Sequence, residues 1–513
     1  PSEHPFAPLR PNGLRSTFFR GRIVGRAPAQ PQGSLHVSNR IILSAFDMTC
    51  VTHQTTGLWR HPDNRAHEYN TLEYWTNLAQ LLERGTFDTL FIADVVGLYD
   101  VYKGSAEAAL RDAAQVPVND PLLAVSAMAA ATEHLGFGLT VALTYEQPYA
   151  LARKFTTLDH LTKGRVGWNV VTSYLDSAAR NLGLAEGQIS HDNRYDIGDE
   201  FMDVVYKLWE GSWEDGAVIR DKENGVFTDP SKVHPIGHDS EHYQVPGVFL
   251  SEPSPQRTPV IYQAGASSRG RAFAGKHGEA VFISSLNPAQ ARVTSDALRD
   301  AAESEGRPRD SVKILSMLTV ITAPTDEEAQ AKADEYRSYI SLEGALALFG
   351  GWSGLDMSQF DPDTPLKYIE TDALTSVLNM FTKADPDRDW TPRDVAEFIG
   401  LGGFGPVVVG SPTTVADELE RWVEEGGIDG FNFAYAVTPG TFEDLVEYVV
   451  PELRRRGRVW DNYPEGTLRG RLNGTGEAAV PPWHPAAKYR GAYANAPSVA
   501  DQTRKDVKAT TSS

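Results

Sequence analysis

The sequence predicts an α/β protein: a closed parallel (β/α)8 barrel of TIM type, with loop insertions and a C-terminal extension. Three observations predict it. Eight short, nearly continuous apolar runs alternate with helical patterns from residue 40 onward, as expected of parallel strands buried on both faces. No Gly-rich turn follows the first run, where an open dinucleotide-binding sheet would carry one; the chain continues Phe46-Asp47-Met48-Thr49 instead. Polar residues gather just beyond several runs, and a barrel brings those strand ends to one face.

The elements follow in order. Residues 40–46 read as the first strand and 69–84 as an amphipathic helix. Residues 89–93 are the second strand, followed by a helix over 119–134 capped by Asn119 or Asp120, with Pro121 in its first turn. Strand 136–144 precedes helix 148–162, and strand 165–171 precedes helix 196–210. Strands at 259–263, 280–284, 313–322 and 430–436 complete the eight. Insertions interrupt the repeat at about 212–258 and 341–400, the second carrying Gly350-Gly351-Trp352. Long insertions of this kind tend to serve as lids or contacts. The barrel is thus expected over 40–455 and the extension over 456–513, its aromatic part packed on the body and its polar end disordered.

Composition narrows the function. Of 513 residues, 41% are hydrophobic and 23% charged, as in an ordinary globular protein. A formal net charge of −20 repels nucleic acid and anionic membrane. No apolar run approaches the roughly 18 residues that span a bilayer. The single cysteine, Cys50, excludes an internal disulfide framework and a thiolate metal cluster. Residues 1–39 hold Arg10, Arg15, Arg20, Arg22 and Arg26 with one acid, Glu3. They read as a disordered leader or an organelle-targeting segment, the expected location otherwise being cytoplasmic.

Several residues could carry chemistry. Asp94 follows the second strand, Thr140 and Thr144 end the third, and Asn169, Thr172 and Ser173 end the fourth. Each alone reads equally as a strand or helix cap; together they suggest a polar rim. Gln263-Ala264-Gly265-Ala266-Ser267-Ser268 precedes a helix, and small residues there leave backbone amides open to a phosphate. The chain has no Gly-x-x-x-x-Gly-Lys-Ser/Thr, so a phosphate monoester fits better than a nucleoside triphosphate. Cys50 and His53 could form a nucleophile pair, but pocket lining and a polar ligand contact read better. His234, His238 and His242 have helical spacing for a metal, yet Pro235 and Gly237 favour a loop.

Gly164 to Ser173, His191-Asp192-Asn193-Arg194-Tyr195, Gln263 to Ser267 and Gly410 to Leu419 resemble the flavin-dependent monooxygenases of the bacterial luciferase-like superfamily. The branch is the one that oxidises nitrilotriacetate and dibenzothiophene sulfone. Ala45 to Gln54, Phe91 to Gly97, Ser231 to Pro235, Glu252 to Val260, Ala434 to Gly440 and His484 to Ala487 are similar to its members that act on dimethyl sulfide. The likeness spans about residues 40 to 504.

The resemblance implies a (β/α)8 barrel that takes reduced FMN as a diffusible co-substrate from a separate NADH-dependent flavin reductase. It implies FMN contacts for Asp94, Thr140, His191, Tyr195 and Ser267, the last two near the phosphate, with Asn169 and Thr144 near the ring. His53 would stand close to the flavin as the catalytic histidine. Phe46, Cys50 and Trp59 would line the substrate side, with Leu143 narrowing it. O2 would react to a C4a-peroxyflavin, and dimethyl sulfide would give methanethiol and formaldehyde. A sulfone, an alkanesulfonate or an aminopolycarboxylate is the alternative substrate class, and Arg60 and Lys154 are the cations an anion would use. The resemblance further implies a homo-oligomer. At position 268 the chain has Ser where related branches often carry an acid.

Overall fold

The computed structural model describes residues 40–501, apart from 185, 266, 367–380 and 382–387. The expected leader and the polar end after residue 501 lie outside the described residues. Among those described, no helix is long and apolar enough to cross a membrane.

Eight parallel strands close into a barrel. They are β1 (Ile42–Met48), β2 (Thr89–Ala93), β3 (Gly136–Ala142), β4 (Val166–Val171), β5 (Val260–Gln263), β6 (Ala280–Ile283), β7 (Lys313–Thr322) and β9 (Gly430–Ala434). Neighbours pair in that order, β6 pairs with β7, and β9 returns to β1. The open-sheet alternative is thereby excluded. A further strand, β8 (Val407–Gly410), was not expected: it pairs with the distal half of the long β7, at Thr319 to Thr322.

The principal helices are α1 (Leu72–Arg84), α2 (Leu122–Ala130), α3 (Pro148–Leu161), α4 (His191–Tyr206), α5 (Ser268–His277), α6 (Pro288–Ser304), α7 (Asp326–Arg337), α8 (Leu342–Ser353), α9 (Pro392–Gly402) and α10 (Pro412–Gly426). α1 shows the logic of the outer layer. Tyr74, Trp75, Leu78, Ala79, Leu81 and Leu82 turn to the strands, and Glu73 and Arg84 fall at the ends that suit their charge. Each large apolar side chain so buried is worth roughly 1.5–3 kcal/mol. α4 begins five residues before the expected start at 196, so His191 opens a helix instead of preceding it.

Inside the barrel, Phe46, Phe91, Tyr262 and Phe282 stack on one another, with Phe91 and Phe282 ring centres 4.1 Å apart. Gly167 gives them room: a Cβ there would stand 2.4 Å from the Tyr262 ring. A short helix, Leu468–Asn473, plugs the N-terminal end with Leu468 and Leu472. Its Arg469 is 1% exposed and pairs with buried Glu279 at 2.7 Å. Ordering the opposite end is left to the loops that follow β1 to β5.

Candidate active site

The strand ends β2 to β5 surround a crevice made of two adjoining cavities. One, about 430 Å3, is lined by Asp94, Asn119, Asp120, Thr140, Tyr145 and Glu146 among others. The other, about 540 Å3, is lined by His191, Arg194, Tyr195, Gln263, Gly265, Ser267 and Trp352. Asp94, Val95, Val96 and Ala142 belong to both. Volumes of this order suit a cofactor-sized ligand.

One wall is built at the start of α5. Ser267 caps that helix, its hydroxyl oxygen accepting from the Gly270 amide at 3.0 Å. The same hydroxyl meets His191 Nε2 at 3.2 Å, and His191 Nδ1 meets Asp192 at 2.8 Å. The Tyr195 ring lies edge-on to His191, one helical turn further along α4. Gly265 and Gly270 let the Tyr195 hydroxyl approach the backbone, since a Cβ on either would come within 3.1 Å of that oxygen. The hydroxyls of Ser267 and Tyr195 and the His191 ring thus meet at the N-terminus of α5, an end that favours an anion. Ala266 lies outside the described residues.

A second wall comes from adjacent strands. Thr140 on β3 and Asn169 on β4 are register partners pointing inward. Asn169 Nδ2 donates to Thr140 Oγ1 at 3.0 Å, and Asn169 Oδ1 is buried without a partner. Of the pair, Thr140 lines the smaller cavity and Asn169 lines neither. Thr144 is used differently: it lies in a turn after β3, and its hydroxyl donates to the Thr172 carbonyl at 2.6 Å. Asp94 completes this wall. Burial, with Asp120 nearby, raises its carboxyl from 3.8 to about 7, while the Val95 amide opposes the shift.

The loop after β1 packs close by, but Phe46, Cys50 and His53, expected at the flavin and substrate, line neither cavity. His53 is 1% exposed, packs edge-on against Phe46 at 4.2 Å, and is pushed down to about 3 by burial, so it is neutral at pH 7. Its Nε2 lies 3.1 Å from Gln54 Nε2. Cys50 donates its S–H to the Thr52 carbonyl at 3.3 Å, and burial with the charges of Asp47 and Asp94 pushes the thiol up. A thiol held in this way makes a poor nucleophile at neutral pH. Phe46 sits at the top of the aromatic column.

Some expected residues stand elsewhere. Trp59 is 39% exposed on a turn and lines neither cavity, and Leu143 is fully buried in the outer core. Arg60 is spent on the carbonyls of Gly57 and Tyr339, and Lys154 on Glu146. His234 pairs with Glu214, and His238 with Lys207 and Glu200; no metal cluster exists among the described residues. Sequence reasoning passed over Arg194, although it lies inside the quoted His191–Tyr195 motif, and it gave Trp352 no role in the site.

The sequence model of the luciferase-like monooxygenases matches residues 48–430. This chain belongs to the luciferase-like monooxygenase family. It is 60% identical to the dimethyl-sulfide monooxygenase of Hyphomicrobium sulfonivorans over 91% of this chain and 97% of that protein. The crystal structure of DmoA from that organism superposes with a TM-score of 0.86, over 90% and 98% of the two chains. The long-chain alkane monooxygenase of Geobacillus thermodenitrificans (strain NG80-2) is 49% identical, over 90% and 100%. A riboflavin lyase solved with a modified FMN is 38% identical, with a TM-score of 0.80 over 88% and 99%. As a luciferase-like monooxygenase, the chain is an enzyme of a flavin-dependent family.

Proposed function

We propose that the chain is the oxygenase half of a two-component system. It takes reduced FMN from a separate NADH-dependent reductase and oxidises a small neutral organosulfur compound with O2. The substrate is dimethyl sulfide: with O2 and reduced FMN it yields methanethiol, formaldehyde, water and oxidised FMN. The observation that carries this reading is the crevice itself, with an anion cradle at Ser267 on one wall and apolar Val95, Val96 and Ala142 beyond it. The 60% identity to a dimethyl-sulfide monooxygenase supports the substrate. A relative named as component A of nitrilotriacetate monooxygenase supports a divided system.

The residues fit the cofactor. Ser267, His191 and Tyr195 would hold the phosphate with the amides of α5, leaving Arg194 Nε, buried and unpartnered, beside the same cavity. Asn169 Oδ1 offers an open acceptor, and Asp94, half protonated near pH 7, can donate or accept. Bound reduced FMN supplies the electrons and activates O2. The protein's share is to fix the ligand and to exclude water with Val95, Val96, Ala142 and Val171. Anionic substrates fit less well, because Asp94 and Asp120 line the first cavity and its Glu146 already holds Lys154.

Product analysis tests the proposal. With a flavin reductase, NADH, FMN and O2, dimethyl sulfide should give methanethiol and formaldehyde in equal amounts. No thiol or aldehyde, with coupled turnover of another compound, removes the substrate. Dimethyl sulfoxide as product removes the carbon-oxidation route.

A further inference from the structure

We infer that Trp352 sets the length of the substrate the crevice admits; the inference rests on the thioether reading and adds to it. Trp352 comes from α8, in the segment that interrupts the barrel repeat. The preceding Gly351 lets that helix lie against Tyr99. A Cβ on Gly351 would fall 1.9 Å from the Tyr99 ring, so only a bare backbone seats there. The next residue, Trp352, then reaches the wall of the larger cavity beside Val95, Val96 and Tyr174. The same cavity is lined by apolar Val95, Val96, Ala142 and Val171 as well as by Ser267, His191 and Gln263.

The indole is fixed on two sides. Its Nε1 donates to the Tyr99 hydroxyl at 3.2 Å, and its ring centre lies 4.8 Å from that of Phe404. Tyr99 in turn donates to Gln115 Oε1 at 2.7 Å, and Gln115 Nε2 donates to the His53 carbonyl at 2.7 Å. Three hydrogen bonds therefore join Trp352 to the loop that carries His53. These bonds hold the indole in place at the cavity wall, so its bulk limits how far an apolar chain can extend within the cavity. A pocket wall of this type discriminates by about tenfold or more per methylene excluded or accepted.

Trp352→Ala and Trp352→Phe test it, with dimethyl, butyl methyl and octyl methyl sulfide as probes. Two ratios are read: octyl to dimethyl binding constants, measured calorimetrically on the oxidised-FMN complex without turnover, and the corresponding kcat/KM values. Each ratio is taken within one variant, so a general loss of flavin cancels. Trp352→Ala should move the ratio at least tenfold toward the octyl compound, and Trp352→Phe, which keeps a ring but drops the Nε1 donor, less than threefold. A ratio for Trp352→Ala within twofold of the parent overturns the inference. So does a Trp352→Phe shift as large as that of Trp352→Ala. If the parent binds the sulfides but oxidises none, the substrate reading fails while the binding ratios still decide the part played by Trp352.

Discussion

The Ser267 hydroxyl and the His191 imidazole meet at 3.2 Å although 76 residues separate them. Each opens a helix, α5 and α4 respectively, so two helix N-termini are aligned on one point. Their shared contact makes the anion cradle a property of the fold and not of either loop alone.

Ser267→Ala should therefore cost twice. Losing the helix cap lowers stability by about 1 kcal/mol. Losing a phosphate donor weakens reduced-FMN binding by about tenfold, the equivalent of one hydrogen bond near 1.4 kcal/mol. Thermal unfolding reads the first and anaerobic flavin titration the second. His191→Ala should show the binding loss without the capping loss.

Asn169→Ala removes the open acceptor and strands Thr140 Oγ1, which has no other partner than Asn169 Nδ2 for that lone pair. An unsatisfied buried polar group costs about 1–3 kcal/mol. Flavin should bind more weakly, and a larger share of NADH consumption should end as hydrogen peroxide. Peroxide assay against product yield checks this; an unchanged coupling ratio counts against a ligand contact at Asn169.

Asp47 gives a pH prediction. It is 1% exposed, it accepts from the Met48 amide at 2.7 Å and from Tyr74 at 2.9 Å, and burial raises it from 3.8 to about 7. Tyr435 is buried beside it. Between those two values the folded state holds the proton that the unfolded state has lost, so this group's contribution is full below pH 4 and disappears as pH rises through 7. The change is about 4 kcal/mol at most, about 1.4 per unit. His53, lowered to about 3, works in the opposite sense: its contribution is present above 6.5 and is lost as pH falls toward 3. Urea unfolding of the parent and Asp47→Asn isolates the first effect. Their stability difference should shift in favour of the variant between pH 4 and pH 7 and level off above pH 8. A pH-independent difference refutes the assignment.

Arg469 and Glu279 form a buried pair at the barrel floor, and Arg469 also donates to the carbonyls of Thr258 and Pro259. Removing one member leaves an uncompensated buried charge. Arg469→Met should cost about 3–5 kcal/mol in urea unfolding. Arg469→Met with Glu279→Leu should recover most of that loss.

Much of this architecture was legible in the residues. The eight barrel strands are buried on both faces and so read as apolar runs; Trp168, directed at α3 and α4, alternates with Gly167 and Asn169, directed inward. β8 escaped because it is short and half exposed, and because it only extends β7. The floor plug escaped because Leu468–Asn473 is polar by composition, and Arg469 becomes a core residue only through Glu279, 190 positions away. At the site, the motif residues Asp94, His191, Tyr195 and Ser267 share one cavity. Trp59 faces solvent, since nothing local in Leu58-Trp59-Arg60 tells which way a turn will point its ring. Trp352 was a feature without a role, because its place depends on how α8 rests on Tyr99.

An anaerobic titration of the chain with reduced FMN, repeated with Ser267→Asp, tests the central claim most directly. The account predicts saturable, one-to-one binding in the micromolar range, weakened at least a hundredfold by the carboxylate set against the phosphate. Absence of binding, or equal affinity in both proteins, would contradict it.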